Sequence, residues 1–279
     1  MKRNIAISVR EVARGRERAF TLVELLVVIV TFAILAALIL PALARSDDNG
    51  ARMVCMNNLR QMGMAANMYA GDNRDYLAFC NWDAGASFTD PSTGKYVVGW
   101  LYVCSGTIPD PTVTPYKNNP SMSWQTGLWF KYVQSTKYYL CPVDIESPYY
   151  QQRHNKLSSY VMNGAESGFA TVYPPSKVTD AWSPGCWLLW EPDENAAGLG
   201  NPGASDFDDG ARCPGASFGT SEGIGRLHTA NGGEILCVGG NVQMVTVQTW
   251  KAQTTRTGPM GPGGKTLAWW SPFSINGGP

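Results

Sequence analysis

The chain has 279 residues, with 22 Lys or Arg against 22 Asp or Glu, 44% hydrophobic residues and only 16% charged ones. Residues 1–19 hold Lys2, Arg3, Arg10, Arg14, Arg16 and Arg18 against two acids, so the zero net charge hides a basic head and a mildly acidic body. That body has no Lys/Arg block to track a phosphate backbone, which excludes nucleic acid as an expected partner, and its 30 Gly, 18 Pro, 10 Trp and 12 Tyr describe a loop-rich, aromatic-packed chain rather than a disordered one.

Residues 22–40 read LVELLVVIVTFAILAALIL, with Glu24 as the one charge and Thr31 as the one further polar residue. Nineteen helical residues at about 1.5 Å each span about 28 Å, close to the hydrocarbon thickness of a bilayer. The segment can therefore cross a membrane. The basic residues precede it, which leaves the N-terminus in the cytoplasm and sends the body outward. Ala42-Leu43-Ala44 also fits a signal-peptidase site, although the apolar run exceeds the usual signal-peptide length and carries an acid near its start. A carboxylate just inside an apolar run needs a cation as partner. None lies nearby in the apolar stretch, but a cut between Ala19 and Phe20 would create one, the new α-amine.

The residues Arg18-Ala19-Phe20-Thr21-Leu22-Val23-Glu24-Leu25-Leu26 resemble the prepilin cleavage and methylation signal of type IV pilins and type II secretion pseudopilins. The resemblance implies that a prepilin peptidase cuts after Ala19 and N-methylates Phe20, and that Glu24 pairs with the amine of a neighbouring subunit during assembly. Most members of the family have Gly where this chain has Ala19. Pro41 falls where many pilin helices have a proline, which removes a helical hydrogen bond and permits a kink or local melting.

Beyond the weak segment 46–50 the helix is expected to resume. Cys55, Leu59, Met62, Ala66 and Tyr69 recur at spacings of 4, 3, 4 and 3, an apolar stripe that would dock on the following domain, and Gly71-Asp72-Asn73 supplies a stop. The text Met53-Val54-Cys55-Met56-Asn57-Asn58-Leu59-Arg60-Gln61-Met62-Gly63 resembles the start of the soluble part in a large pseudopilin-like family with a C-terminal His-x9-Asp-Gly pattern.

After Tyr76 short β-like runs separate Gly/Pro/Asn clusters: 96–103, 138–140, 159–162, 186–190, 234–238, 242–247 and 267–270, with one more short helix at 124–133. The stretches 105–123 and 193–226 read as long loops. Three further segments resemble the same family: Tyr139-Leu140-Cys141-Pro142, Ser159-Tyr160-Val161-Met162-Asn163 and Trp187-Leu188-Leu189-Trp190-Glu191. His228 is followed by nine residues and then Val238-Gly239 in place of Asp-Gly, ahead of a hairpin around Gly239-Gly240-Asn241.

Seven cysteines, at 55, 80, 104, 141, 186, 213 and 237, would face the oxidising side, where disulfides are permitted and an odd number leaves at least one unpaired. Cys55 with Cys141 is the favoured bridge, and Cys186 and Cys237, inside apolar strands, can equally be buried thiols. No C-x-x-C and no Cys/His cluster with zinc spacing occurs, which argues against a structural zinc site. G-x-S-x-G occurs at 215–219 and 219–223, but Ser217 and Ser221 lack the strand-to-helix context of a nucleophile elbow. His154 reads as a solvated loop residue and His228 as a packing or hydrogen-bonding one. Asp206, Asp208 and Asp209 gather oxygen ligands around a glycine turn, a candidate calcium loop without the EF-hand spacing.

The expected architecture is α+β: a leader at 1–19, a transmembrane and assembly helix at 20–43, its continuation at 44–75, and a head at 76–279 with a small antiparallel sheet and long loops. The expected function is a non-enzymatic subunit of a pilin-like filament, held in the inner membrane and then displayed in the periplasm or at the cell surface. Its partners would be prepilin peptidase, other pilin-like subunits and an inner-membrane assembly platform, with no cofactor unless calcium binds. The alternatives are a membrane-tethered glycan-binding module using exposed tryptophans, an uncleaved anchor and, last, a secreted hydrolase.

Overall fold

A computed structural model describes residues 21–82, 86–147, 150–153, 155–192, 210–212, 214 and 223–274, with backbone alone at 39–48, 152 and 212. Ala19, Phe20, His154, Asp206, Asp208, Asp209, Cys213, Ser217 and Ser221 lie outside the described residues. The chain divides into two units, residues 1–47 and 48–279, and the first helix, α1 (Leu22–Asp72), contributes to both. Helical backbone is continuous through Pro41 and through 46–50, so the expected interruption is not a break in the helix.

In the first unit every described side chain from Thr21 to Leu38 is exposed. Among the described residues no helix is long and apolar enough to cross a membrane. The described side chains of the apolar run stop at Leu38, two residues before the run ends in the sequence at Leu40.

In the second unit α1 buries one face. Cys55, Leu59 and Met62 are wholly buried, Ala65, Ala66 and Ala70 nearly so, and Tyr69 half-buried, which is the stripe expected from the 4-3-4-3 spacing. The helix ends where Gly71-Asp72-Asn73 suggests. Asn73 Nδ2 donates to Tyr69 O at 2.7 Å, Asp75 N–H donates to Ala70 O at 2.9 Å, and Arg74 and Asp75 turn into the left-handed region.

The sheet has five strands: β1 (Val161–Asn163), β2 (Trp187–Trp190), β3 (Ala211–Arg212), β4 (Gly232–Cys237) and β5 (Val242–Thr246). Their order is β3-β1-β2-β4-β5. The last four are antiparallel, and the two-residue β3 joins β1 in parallel at one edge. Alternation along the strands builds two apolar layers. Met162, Leu188, Leu189 and Leu236 face α1, while Val161, Trp187, Trp190, Ile235 and Cys237 face the other side. Leu188 and Leu189 share one layer despite being adjacent because the β2/β4 register shifts between Trp187 and Leu189. The second layer is covered by α5 (Val247–Thr254), whose Trp250 stacks on Trp187 at 5.0 Å between ring centroids with 4° between planes, and by Trp269.

One glycine sets the closeness of helix and sheet. A Cβ at Gly63 would stand 2.7 Å from Leu236 Cδ1 and 3.3 Å from Gly240 Cα, so the β4/β5 turn rests on the backbone of α1. Gly240 supplies the turn's positive φ of 84°. Nearby, the Arg52 guanidinium reaches the buried Glu234 carboxylate at 2.6 Å, and Asn58 Nδ2 donates to Leu140 O at 2.9 Å.

Four expected elements differ. Residues 96–103 form a tight reversal held by single bridges, because the buried Asn81 side chain takes the backbone groups a neighbouring strand would use: Asn81 Nδ2 donates to Tyr102 O at 2.9 Å and Oδ1 accepts from Leu101 N–H at 3.0 Å. Residues 138–140 lie at the end of a 3₁₀ turn, Thr136–Tyr139, rather than in a strand. Residues 267–270 form bends whose backbone and tryptophan groups pair with Trp187: Leu267 O accepts from Trp187 N–H at 2.8 Å and Trp270 Nε1 donates to Trp187 O at 2.9 Å. The helix expected at 124–133 is two, α2 (Ser121–Gln125) and α3 (Phe130–Val133), parted at Gly127, whose missing Cβ admits the backbone of Trp100 and Leu101. The remaining short helix of this region is α4 (Pro142–Ile145).

Candidate functional site

The amino-terminal motif is described from Thr21 onward. Thr21 is the residue before the first helical turn, and Glu24, three residues on, is its partner in a reciprocal cap. The Thr21 N–H and hydroxyl each donate to Glu24 Oε2 at 2.8 Å, and the Glu24 N–H donates to Thr21 Oγ1 at 3.2 Å. The apolar setting assigns Glu24 a cation as partner, and among the described residues of the uncut chain its carboxylate closes the start of its own helix, a role the Thr-x-x-Glu spacing spells out.

A second site sits between α1 and the head's own elements, inside the second unit. Cys55 comes from the buried face of α1. Cys141 is the residue capping α4, where Pro142 opens the helix, and its N–H donates to Ser159 Oγ at 2.9 Å. Glu191 follows β2 directly. His228 precedes β4 on a segment drawn close to Glu191 by the Pro192↔Ile224 bridge and by Gly225, whose N–H donates to Glu191 O. A Cβ at Gly225 would collide with the Glu191 and Pro192 carbonyls, so this approach needs glycine.

The four donor atoms all lie within 4.8 Å of one another. Cys55 Sγ and Cys141 Sγ are 2.6 Å apart, Cys141 Sγ and His228 Nε2 3.3 Å, and His228 Nε2 and Glu191 Oε1 3.4 Å. Water is excluded: Cys55, Cys141 and Glu191 are fully buried and the His228 side chain is 2% exposed. Neither oxygen of Glu191 accepts a hydrogen bond among the described residues. The hydrogen bond to Cys55, together with burial, holds the Cys141 thiol well above its ordinary range. Burial opposes charge on His228, but the Cys141 sulfur and the Glu191 carboxylate outweigh it and raise the imidazole to about 10. The Tyr160 phenol, wholly buried beside the cluster and within 3.4 Å of Asn58 Nδ2, is also pushed up, first by burial and then by Cys55 and Glu191.

The two cysteines expected to bridge are thus brought together, each standing as a free thiol in the structure. Cys80, Cys104, Cys186 and Cys237 are buried thiols as well. The candidate calcium loop and both serine motifs lie outside the described residues. His228 makes a hydrogen-bonding contact as expected, with Cys141 Sγ, and stands at ion-pair distance from Glu191. Zinc-type spacing could not reveal the cluster because its four donors come from four distant segments. A signal was present nonetheless: each donor sits in one of the short segments that resemble the His-x9-Asp-Gly family. Eight of the ten tryptophans are buried, Trp82 is half-buried and Trp182 is 37% exposed, which withdraws most of the aromatic surface a glycan-binding module would need.

No curated protein and no solved structure matches the chain. Residues 14–40 match the family model described as the prokaryotic N-terminal methylation motif, a span that contains Ala19, Phe20 and Glu24. This motif is the substrate signal of prepilin peptidase and points to a structural, membrane-anchored kind of protein. The chain carries the prepilin-type signal of type IV pilin and pseudopilin proteins ahead of a pilin-like α+β head.

Proposed function

We propose that this protein is the precursor of a pilin-like filament subunit, cut between Ala19 and Phe20, methylated on Phe20 and assembled through its amino-terminal helix. The observation that carries this reading is the state of residues 22–38. Twelve large apolar side chains there, Leu22 to Leu38, stand exposed at 40% or more. Fully burying one such side chain from full exposure is worth about 1.5 to 3 kcal/mol, so leaving the partly exposed set in water forgoes free energy on the order of the whole stability of a typical domain. A helix apolar on all sides requires lipid or other helices around it. Inner-membrane lipid before assembly and neighbouring subunits afterwards supply both, with an assembly platform mediating the transfer to a type II secretion pseudopilus or a pilus-like appendage.

In this scheme Glu24 exchanges its Thr21 cap for the Phe20 amine of a neighbour. Mass spectrometry of the mature chain should find N-methylphenylalanine at position 20. A start at Arg45 would instead mean signal-peptidase processing, and an intact Met1 an uncleaved anchor. Glu24→Ala should be processed yet fail to enter filaments. Glu24→Gln separates the two roles of the side chain: it retains an acceptor for Thr21 but no charge, so its failure to incorporate supports the ion pair, while normal incorporation would leave only the cap.

The acidic loop Asp206, Asp208 and Asp209 remains a candidate calcium site within the head, checked by melting the full chain with and without a chelator selective for calcium. The glycan-binding alternative ranks second, with Trp182 as its one exposed tryptophan.

A further inference from the structure

We propose that Cys55, Cys141, Glu191 and His228 form a four-ligand site for one thiophilic divalent metal, with zinc as the expected occupant. The donor set is that of a closed structural site: two thiolates, an imidazole and a carboxylate, each a ligand zinc accepts. A tetrahedral ion with zinc–sulfur legs near 2.3 Å and zinc–nitrogen or zinc–oxygen legs near 2.0 to 2.2 Å separates its ligands by about 3.3 to 3.8 Å. The His228–Glu191 distance of 3.4 Å matches a nitrogen–oxygen edge, and the Cys141–His228 distance of 3.3 Å is within about 0.3 Å of a sulfur–nitrogen edge. The sulfur pair, at 2.6 Å, would open by about 1 Å as the ion enters.

Glu191 is the second, independent observation. Among the described residues neither oxygen of this fully buried carboxylate accepts a hydrogen bond, and its compensation is the 3.4 Å contact with His228 beside the two sulfurs, so burying it is costly unless a further cation joins them. A bridge between Cys55 and Cys141 alone would leave that carboxylate, among the described residues, with the imidazole as its charged neighbour. A divalent ion uses all four groups. Binding would release the two thiol protons and the proton shared between His228 and its neighbours, leaving two thiolates, one carboxylate and a neutral imidazole around a dipositive ion. The net charge of the loaded site is then −1. The site would clamp α1 to the loop before α4, the end of β2 and the approach to β4, and so act on folding rather than on catalysis, with no open ligand position for substrate.

The test begins with the unaltered full-length chain, purified in detergent without chelator or reductant and analysed for metal and for thiol state. The expected result is about one zinc per chain, with Cys55 and Cys141 resisting alkylation until a chelator removes the metal. Cobalt(II) added to the stripped chain should give the intense visible absorption of a tetrahedral site and a thiolate-to-metal band. Glu191→Gln should weaken cobalt binding by about tenfold or more, the scale on which even outer partners of metal ligands act. Three outcomes would overturn the proposal: a chain without zinc in which a Cys55–Cys141-linked peptide is lighter by two hydrogens, a chain without zinc whose two thiols alkylate freely, or bound metal indifferent to Cys55→Ser and Glu191→Gln. The first of these would establish the disulfide, and none of the three bears on processing at Phe20.

Discussion

The two ends of α1 are one helix with opposite fates. Between Leu22 and Leu38 its leucines and valines are exposed, Leu26 at 51%, whereas in the stretch that serves the head Leu59 is at 0%. Amino-acid type does not separate them. What separates them is neighbours: around Leu59 the apolar stripe covers one face only, and the sheet of the same unit covers that face, while the earlier stretch is apolar on every side and no single sheet could cover it. The first end is therefore built for partners outside the chain and the second for partners within it.

Substitutions on the two ends sharpen the contrast, and the largest effect belongs to the buried end. Leu59→Ala should destabilise the full chain by about 2 to 5 kcal/mol, read as a lowered melting temperature of the head, because it opens a cavity among Cys55, Met62 and the sheet. A loss below about 0.5 kcal/mol would mean that this face is not packed as described.

Next comes the buried Glu166, which accepts a hydrogen bond from the Cys80 N–H at 2.9 Å. Burial raises its carboxyl from 4.5 to about 8. Since the folded state holds the proton more tightly than the unfolded chain, its contribution is complete below about pH 4.5 and is lost as pH rises to about 8. Stability should fall by a few kcal/mol across that window, and Glu166→Gln should flatten the slope. Denaturant midpoints at four or five pH values would show whether it does.

Gly63→Ala ranks third, at about 1 to 3 kcal/mol, because the added methyl meets Leu236 and the turn at Gly240. The smallest effect is the most telling. Leu26→Ala should leave the melting of the head unchanged within about 0.5 kcal/mol, yet lower retention in membranes and entry into filaments. A destabilised head would show that the first end of α1 supports the fold after all.

Much of this was readable from residues alone, and the limits have physical causes. The stripe from Cys55 to Tyr69, its stop at Gly71-Asp72-Asn73 and the strands at Val161, Trp187, Gly232 and Val242 follow from periodicity and turn residues, which are local. The run at 96–103 has the composition of a strand but not its geometry, since a buried side chain, Asn81, supplies the pairing. That substitution is invisible without the fold. The same holds for the cluster of Cys55, Cys141, Glu191 and His228, whose members are far apart in sequence and meet only because α1, the start of α4, the end of β2 and the approach to β4 converge. The Glu24 cap is legible in Thr-x-x-Glu, a local spacing, whereas the cation that an acid needs in an apolar setting lies outside its own helix.

The contact at Gly63 also fixes position along the helix. Met62 and Met64 flank it about 100° to either side, so a one-residue screw slip of α1, about 1.5 Å of rise with about 100° of turn, would drive a thioether chain into a seat that admits only a hydrogen. The hairpin tip thus acts as a detent. A pull on the helix would be resisted at that notch before it reached the strands behind.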